Sequence, residues 1–110
     1  MESSPKRPPP RRLRGLSWAT IAGARYPVAT TGLSRLLGLA FCDRDRAGPG
    51  LLIPRCRSVH TFGMRFPLDL YFLDADGRFI ALRAAVPPRR IVRDRRAAAV
   101  LEVPARPARG

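Results

Sequence analysis

Apolar residues recur at every second position from Phe66 to Phe72. Phe66, Leu68, Leu70 and Phe72 alternate with Pro67, Asp69 and Tyr71. A period of two puts the first set on one face of an extended chain, which predicts a β-strand with that face in the core. Asp74-Ala75-Asp76-Gly77 follows as a turn, with Gly77 free to take positive φ. A return strand runs from Arg78 to about Ala85, and Pro87-Pro88 ends it. This hairpin is the strongest structural signal in the chain.

The pattern elsewhere is weaker but readable. "WATIAG" (18–23) and "YPVATT" (26–31) are short, β-prone and punctuated by Gly and Pro, so they predict two strands. Leu33, Leu36, Leu37 and Ala40 fall at helical spacing and predict one apolar helix face; Gly38 keeps that helix short. Residues 42–50 mix charges with Gly-Pro-Gly and read as a loop. Leu51 to Ile53 opens a second apolar region. Arg89 to Arg96 reads as a charged edge strand or a loop, and Ala97 to Val103 as a last strand. There is no internal repeat. The expectation is a mainly β fold, a small compact barrel or sandwich with one short helix (α+β by strict counting). Its single domain spans residues 16–105. A Pro/Arg-rich leader, 1–15, precedes it and is expected to be disordered or extended, because it has little to bury. A tail, 106–110, follows.

Composition changes this picture in one respect, the charge. The 110 residues carry a formal net charge of +13, which points to a polyanion partner such as nucleic acid or an anionic surface. Twenty of the 21 basic residues are Arg. Arg, Ala, Pro and Gly all have GC-rich codons, so a GC-rich genome is a sufficient alternative source of that charge. Two cysteines, Cys42 and Cys56, are too few for a disulfide framework. No run approaches the ~20 apolar residues of a membrane helix. The apolar part of "PRRLRGLSWATIAGA" is short and polar-interrupted for a cleaved signal. A cytoplasmic location is therefore expected, with export the alternative.

The candidate chemistry sits in "RSVHTFGMRFPLDL", residues 57–70, which holds the chain's single His. Cys56 and His60 are four apart. On a straight strand that is about 13 Å, too far for a hydrogen bond or a shared ion. Neither a metal site nor a cofactor is expected. Cys56 reads as a small buried hydrophobe, although its Arg neighbours favour a thiolate. Asp69 interrupts an apolar strand and needs a partner, either an ion pair with Arg65, Arg57 or Arg83 or the amides of a turn. There is no phosphate-binding glycine loop, no nucleophile elbow and no evident pair of catalytic carboxylates.

Residues 26–105, through "GLSRLLGLAF", "PLDLYFLDADG" and "VLEVPA", resemble the uncharacterised bacterial and archaeal family called domain of unknown function 192. "HTFGMRFPLD" is the form of one branch of that family. The resemblance implies a small β-rich domain with a short helix and brings no activity with it. It also implies a final strand beyond the Leu-Glu segment, which is expected to be either missing here or supplied by another chain.

Three readings follow. The first is a non-catalytic binding or accessory module, with His60, Thr61, Arg65 and Asp69 lining a polar pocket near the hairpin for a small polar ligand or a protein partner. The second is a polyanion-binding protein using Lys6, Arg7, Arg11, Arg12 and Arg14 of the arm with Arg89, Arg90, Arg93, Arg95 and Arg96. The third is a small enzyme using His60 and Asp69.

Overall fold

In the computed structural model, which describes residues 7–106, four antiparallel strands make the central sheet. Their order is β3 (Leu51–Pro54), β8 (Ala99–Pro104), β5 (Leu68–Leu73) and β6 (Phe79–Val86). The two-residue period decides which side chains meet. Leu70 stands opposite Glu102, and Phe72 opposite Val100. Across the other ladder, Leu51 stands opposite Glu102 and Ile53 opposite Val100. One face therefore presents Leu51, Ile53, Leu70, Phe72 and Val100, all members of the main core, with Glu102 among them. Phe66, Leu68, Leu70 and Phe72 are all buried, as their alternation predicts.

The opposite face carries Leu52, Leu73 and Leu101. A hairpin of β1 (Trp18–Ile21) and β2 (Ala24–Pro27) covers it, packing Ala19, Ile21 and Tyr26 against those leucines. Val28 then bridges to Leu52 in parallel. A third, two-stranded sheet pairs β4 (Ser58–His60) with β7 (Ile91–Arg93), so the charged 89–96 run contains a short strand. The sheets do not close into a barrel. The mainly β expectation holds, and sandwich describes the layering better than barrel.

The helix departs from its predicted face. α1 spans only Gly32–Leu37 and ends at Gly38, whose φ is +52°. Thr31 and Ser34 form a reciprocal capping box that turns Ser34 inward. Leu33 and Leu36 are consequently 55% and 65% exposed. The helical stripe never reaches Ala40, and Leu39 and Ala40 are buried from the turn that follows. At the other end of the chain's pattern, the 74–77 turn forms as expected. The Asp74 carboxylate accepts the amides of Asp76 and Arg78 at 2.9 Å each, and Gly77 takes φ +79°.

Within the leader, Arg11–Leu13 form a 3-10 turn. Leu13 and Leu16 enter the main core, and Arg12 donates to the carbonyls of Gly38 and Ala40. This part of the leader is docked on the domain and is not a free extended arm. Residues 1–6, with Lys6, and 107–110 of the tail lie outside the described residues. No helix among the described residues is long and apolar enough to cross a membrane.

A buried carboxyl in a small cavity

Three polar side chains are buried among the described residues: Ser34, Thr61 and Glu102. Such groups need partners. Ser34 has them in the capping box. The Thr61 hydroxyl donates to the Pro87 carbonyl at 2.7 Å and accepts the Arg90 amide at 2.8 Å. It fastens the β6–β7 connection to the end of β4. Glu102 is different. One backbone donor, the Leu39 amide, reaches its carboxyl, while Oε1 is buried with no hydrogen-bond partner. Burial pushes this carboxyl up to about 7 from an ordinary value of 4.5, and the Leu39 amide opposes that rise only in part.

Two glycines make room for this residue. A Cβ on Gly38 would lie 2.7 Å from Glu102 Oε1, and one on Gly50 would lie 2.4 Å from the Glu102 carbonyl oxygen. The helix end and the start of β3 thus approach Glu102 from two sides.

The carboxyl lines a cavity of about 60 Å³ walled by Arg35, Gly38, Ile53, Cys56 and His60. That is roughly the volume of two water molecules. A bend at Arg57 lies between Cys56 and His60. Both residues reach the same cavity. Arg35 donates to the carbonyls of Pro54 and Arg55, holding the helix to the end of β3. The Cys56 thiol donates to the Ser58 carbonyl at 3.3 Å. Burial pushes it up, against the weaker pull of that bond and of Arg35, as burial also does for Cys42. The thiol form is favoured despite the flanking arginines. No group of three His, Cys, Asp or Glu among the described residues is arranged to hold a metal ion.

The four residues read from the sequence as one pocket have separate contacts. Thr61 is the latch described above. Arg65 pairs with Asp43 at 2.9 Å, an exposed contact. Asp69 Oδ1 accepts the Ala85 amide at 2.8 Å, where the β5–β6 register shifts and Ala85 takes φ +50°. Its partner is therefore the backbone of a bulge and none of Arg57, Arg65 or Arg83. His60 alone of the four lines the cavity, with Phe62 beside it at 5.9 Å between ring centroids. Asp69→Ala is expected to lower stability by about 1 kcal/mol for its lost hydrogen bond. His60→Ala, an exposed site, should stay within about 0.5 kcal/mol of wild type. Parallel thermal melts check both, and equal losses would contradict this division of roles.

The arginines named as polyanion contacts also separate. Arg7 pairs with Asp43 and Asp45, Arg14 donates to the Pro9 carbonyl, and Arg96 grips Asp94 through two nitrogens at 2.8 and 3.0 Å. Asp94 is drawn well below the usual carboxylate range by that grip and by the Arg96 amide. Arg90 makes one long contact to the Arg89 carbonyl.

The residue that sequence reasoning missed is Glu102. Its signal was present: a lone carboxylate in the apolar run "AAAVLEVPA", the same anomaly that drew attention to Asp69.

The molecule is thus a small sandwich-like β domain with a buried, under-satisfied carboxyl at a small cavity. The chain belongs to the family DUF192, described as "Uncharacterized ACR", whose model matches residues 14–109. A protein of unknown function from Novosphingobium aromaticivorans DSM 12444, solved by crystallography, has a similar fold. The TM-score is 0.66, and the match covers 96% of this chain and 87% of that one at 20% identity. No curated protein matches the chain.

Proposed function

We propose that this domain is a non-catalytic binding module that takes a donor-bearing headgroup of a small polar ligand into the Glu102 cavity. The observation that carries the reading is the unpartnered, buried Oε1 of Glu102 on the wall of that cavity. A buried acceptor without a donor is costly, and a hydroxyl, amide or ammonium group would supply what it lacks. The cavity admits only a few heavy atoms, so the ligand's body would rest outside. There, Leu36, Phe62 and Ile91 are all exposed, and Ile91 pairs with His60 across β4 and β7. That rim offers apolar contact beside a polar socket, the usual make-up of a small-molecule site. Catalysis is not part of the reading, because Asp69 is tied to Ala85 and does not line the cavity.

The test is NMR titration with methylamine, methanol and acetamide as headgroup probes. Saturable shifts at the amides of Gly38, His60 and Glu102 are expected from at least one of them, and Glu102→Gln should remove or invert the preference. Shifts that are absent, or identical in Glu102→Gln, would end the proposal.

A further inference from the structure

A second depression shares Cys56 as a lining residue with the Glu102 cavity. It measures about 390 Å³, and four of its eight lining residues are arginines: Arg55, Arg57, Arg95 and Arg96. Two segments bring them together. Arg55 and Arg57 come from the bend between β3 and β4; Arg95 and Arg96 come from the turn between β7 and β8. Hydrogen bonds join these segments, from the Cys56 amide to the Ala98 carbonyl and from the Asp94 amide to the Arg57 carbonyl. The guanidinium-bearing backbone is therefore held in place before any ligand arrives.

The nearby acids do not neutralise the group. Asp94 is engaged by Arg96 through its side chain and its amide. Asp74 is engaged by the amides of the 74–77 turn, which leaves Asp76 as the exposed carboxylate beside lining residue Ala75. Among the described residues, Arg55, Arg57 and Arg95 have neither an ion pair nor a side-chain hydrogen bond. Ala75, Ala97 and Ala98 complete the lining, and small side chains let an anion approach closely.

We propose that this depression binds a compact polyphosphate group, of the kind carried by inorganic tripolyphosphate or a phosphorylated small molecule. Guanidinium forks match phosphate oxygens two at a time, and three uncommitted forks suit an anion with several charges. A single nucleic-acid strand fits less well, because no aromatic ring lines the depression for a base to stack on. The site differs from the Arg-rich arm expected from the sequence. It uses Arg95 and Arg96 of that set, adds Arg55 and Arg57, and needs no residue of the leader.

Calorimetric titration of the full chain with tripolyphosphate tests the proposal, with a ten-nucleotide single-stranded DNA titrated in parallel. Arg57→Ser/Arg95→Ser removes two charges inside the depression. Arg89→Ser/Arg90→Ser removes two outside it. One site per chain is expected, weakened by about tenfold or more in the first pair and changed by less than about twofold in the second. Circular dichroism melts confirm that both variants fold. Equal weakening in the two pairs would mean that net charge alone attracts the anion, and would overturn the site. So would the absence of binding, or tighter binding of the DNA with the same dependence on Arg57 and Arg95.

Discussion

Glu102→Gln is expected to be more stable than wild type at pH 8 and less stable than it, by about 1 kcal/mol, at pH 4. The folded-state carboxyl sits near 7 against an ordinary value of 4.5, so between those values the folded chain binds more protons than the unfolded chain. Stability then falls as pH rises through that window and levels off above it. The sign is opposite to that of a salt-bridged carboxylate, whose contribution is lost on acidification. A rise of about 2.5 units corresponds to roughly 3.5 kcal/mol at most, at about 1.4 kcal/mol per unit. Glutamine keeps the shape and an acceptor for the Leu39 amide, and it cannot ionise. Its own buried N–H groups trim the gain to about 2 kcal/mol, or about 8 °C in the melting temperature of a domain this size. Paired melts at pH 4, 6 and 8 read this directly. A constant difference between the two proteins across that range would show that Glu102 titrates normally and that its burial has no such consequence. The expected result also bears on function, since a residue retained at a cost in stability is characteristic of a site and not of a scaffold.

The sequence was most legible where one periodicity was clean and local. Phe66 to Phe72 specifies its own face, and Asp74 to Gly77 specifies its own turn, because neighbouring residues settle both. It misled at α1. Leu33, Leu36, Leu37 and Ala40 match a helical stripe on paper, yet Gly38 ends the helix after six residues, and the capping box chooses the buried side. The candidate site was half legible. His60 does line a cavity, but its expected companions Thr61, Arg65 and Asp69 are taken up by Pro87 and Arg90, by Asp43 and by Ala85. Those contacts lie up to 29 residues away in the chain, and spacing along a sequence carries no information about them. The bend at Arg57, between Cys56 and His60, is likewise a property of the backbone that no residue type announces there. Glu102 was overlooked because its companions in the cavity come from α1, β3 and β4. Only the pairing of β8 between β3 and β5 shows that its side of the strand faces the core.

Gly50→Ala should be the most damaging small substitution near the site. Gly50 has φ +139°, a conformation that an L side chain rarely adopts. An added Cβ would also stand 2.4 Å from the carbonyl oxygen of Glu102 and 3.3 Å from Val103 Cγ2. The first contact is backbone in the middle of the central sheet, so no rotamer change relieves it. Backbone strain and overpacking together should cost about 3–5 kcal/mol. Gly77→Ala is the matched control. Its φ is also positive, +79°, but the space around it is open, so only the conformational penalty of about 1 kcal/mol applies. Gly38→Ala falls between them, because its Cβ meets the end of a flexible side chain, Glu102 Oε1, which can swing away at the expense of the cavity. Denaturant unfolding of the three variants should therefore rank them Gly50, Gly38, Gly77 in order of loss. A Gly50→Ala protein no less stable than Gly77→Ala would mean that β3 and β8 are not drawn together at Glu102. In that case neither the confinement of the carboxyl nor the shape of the cavity would follow from the fold. The expected ranking would instead tie the helix end and the strand start to the same residue. It would also make the room left by two glycines the structural reason a carboxyl can be kept in an apolar core.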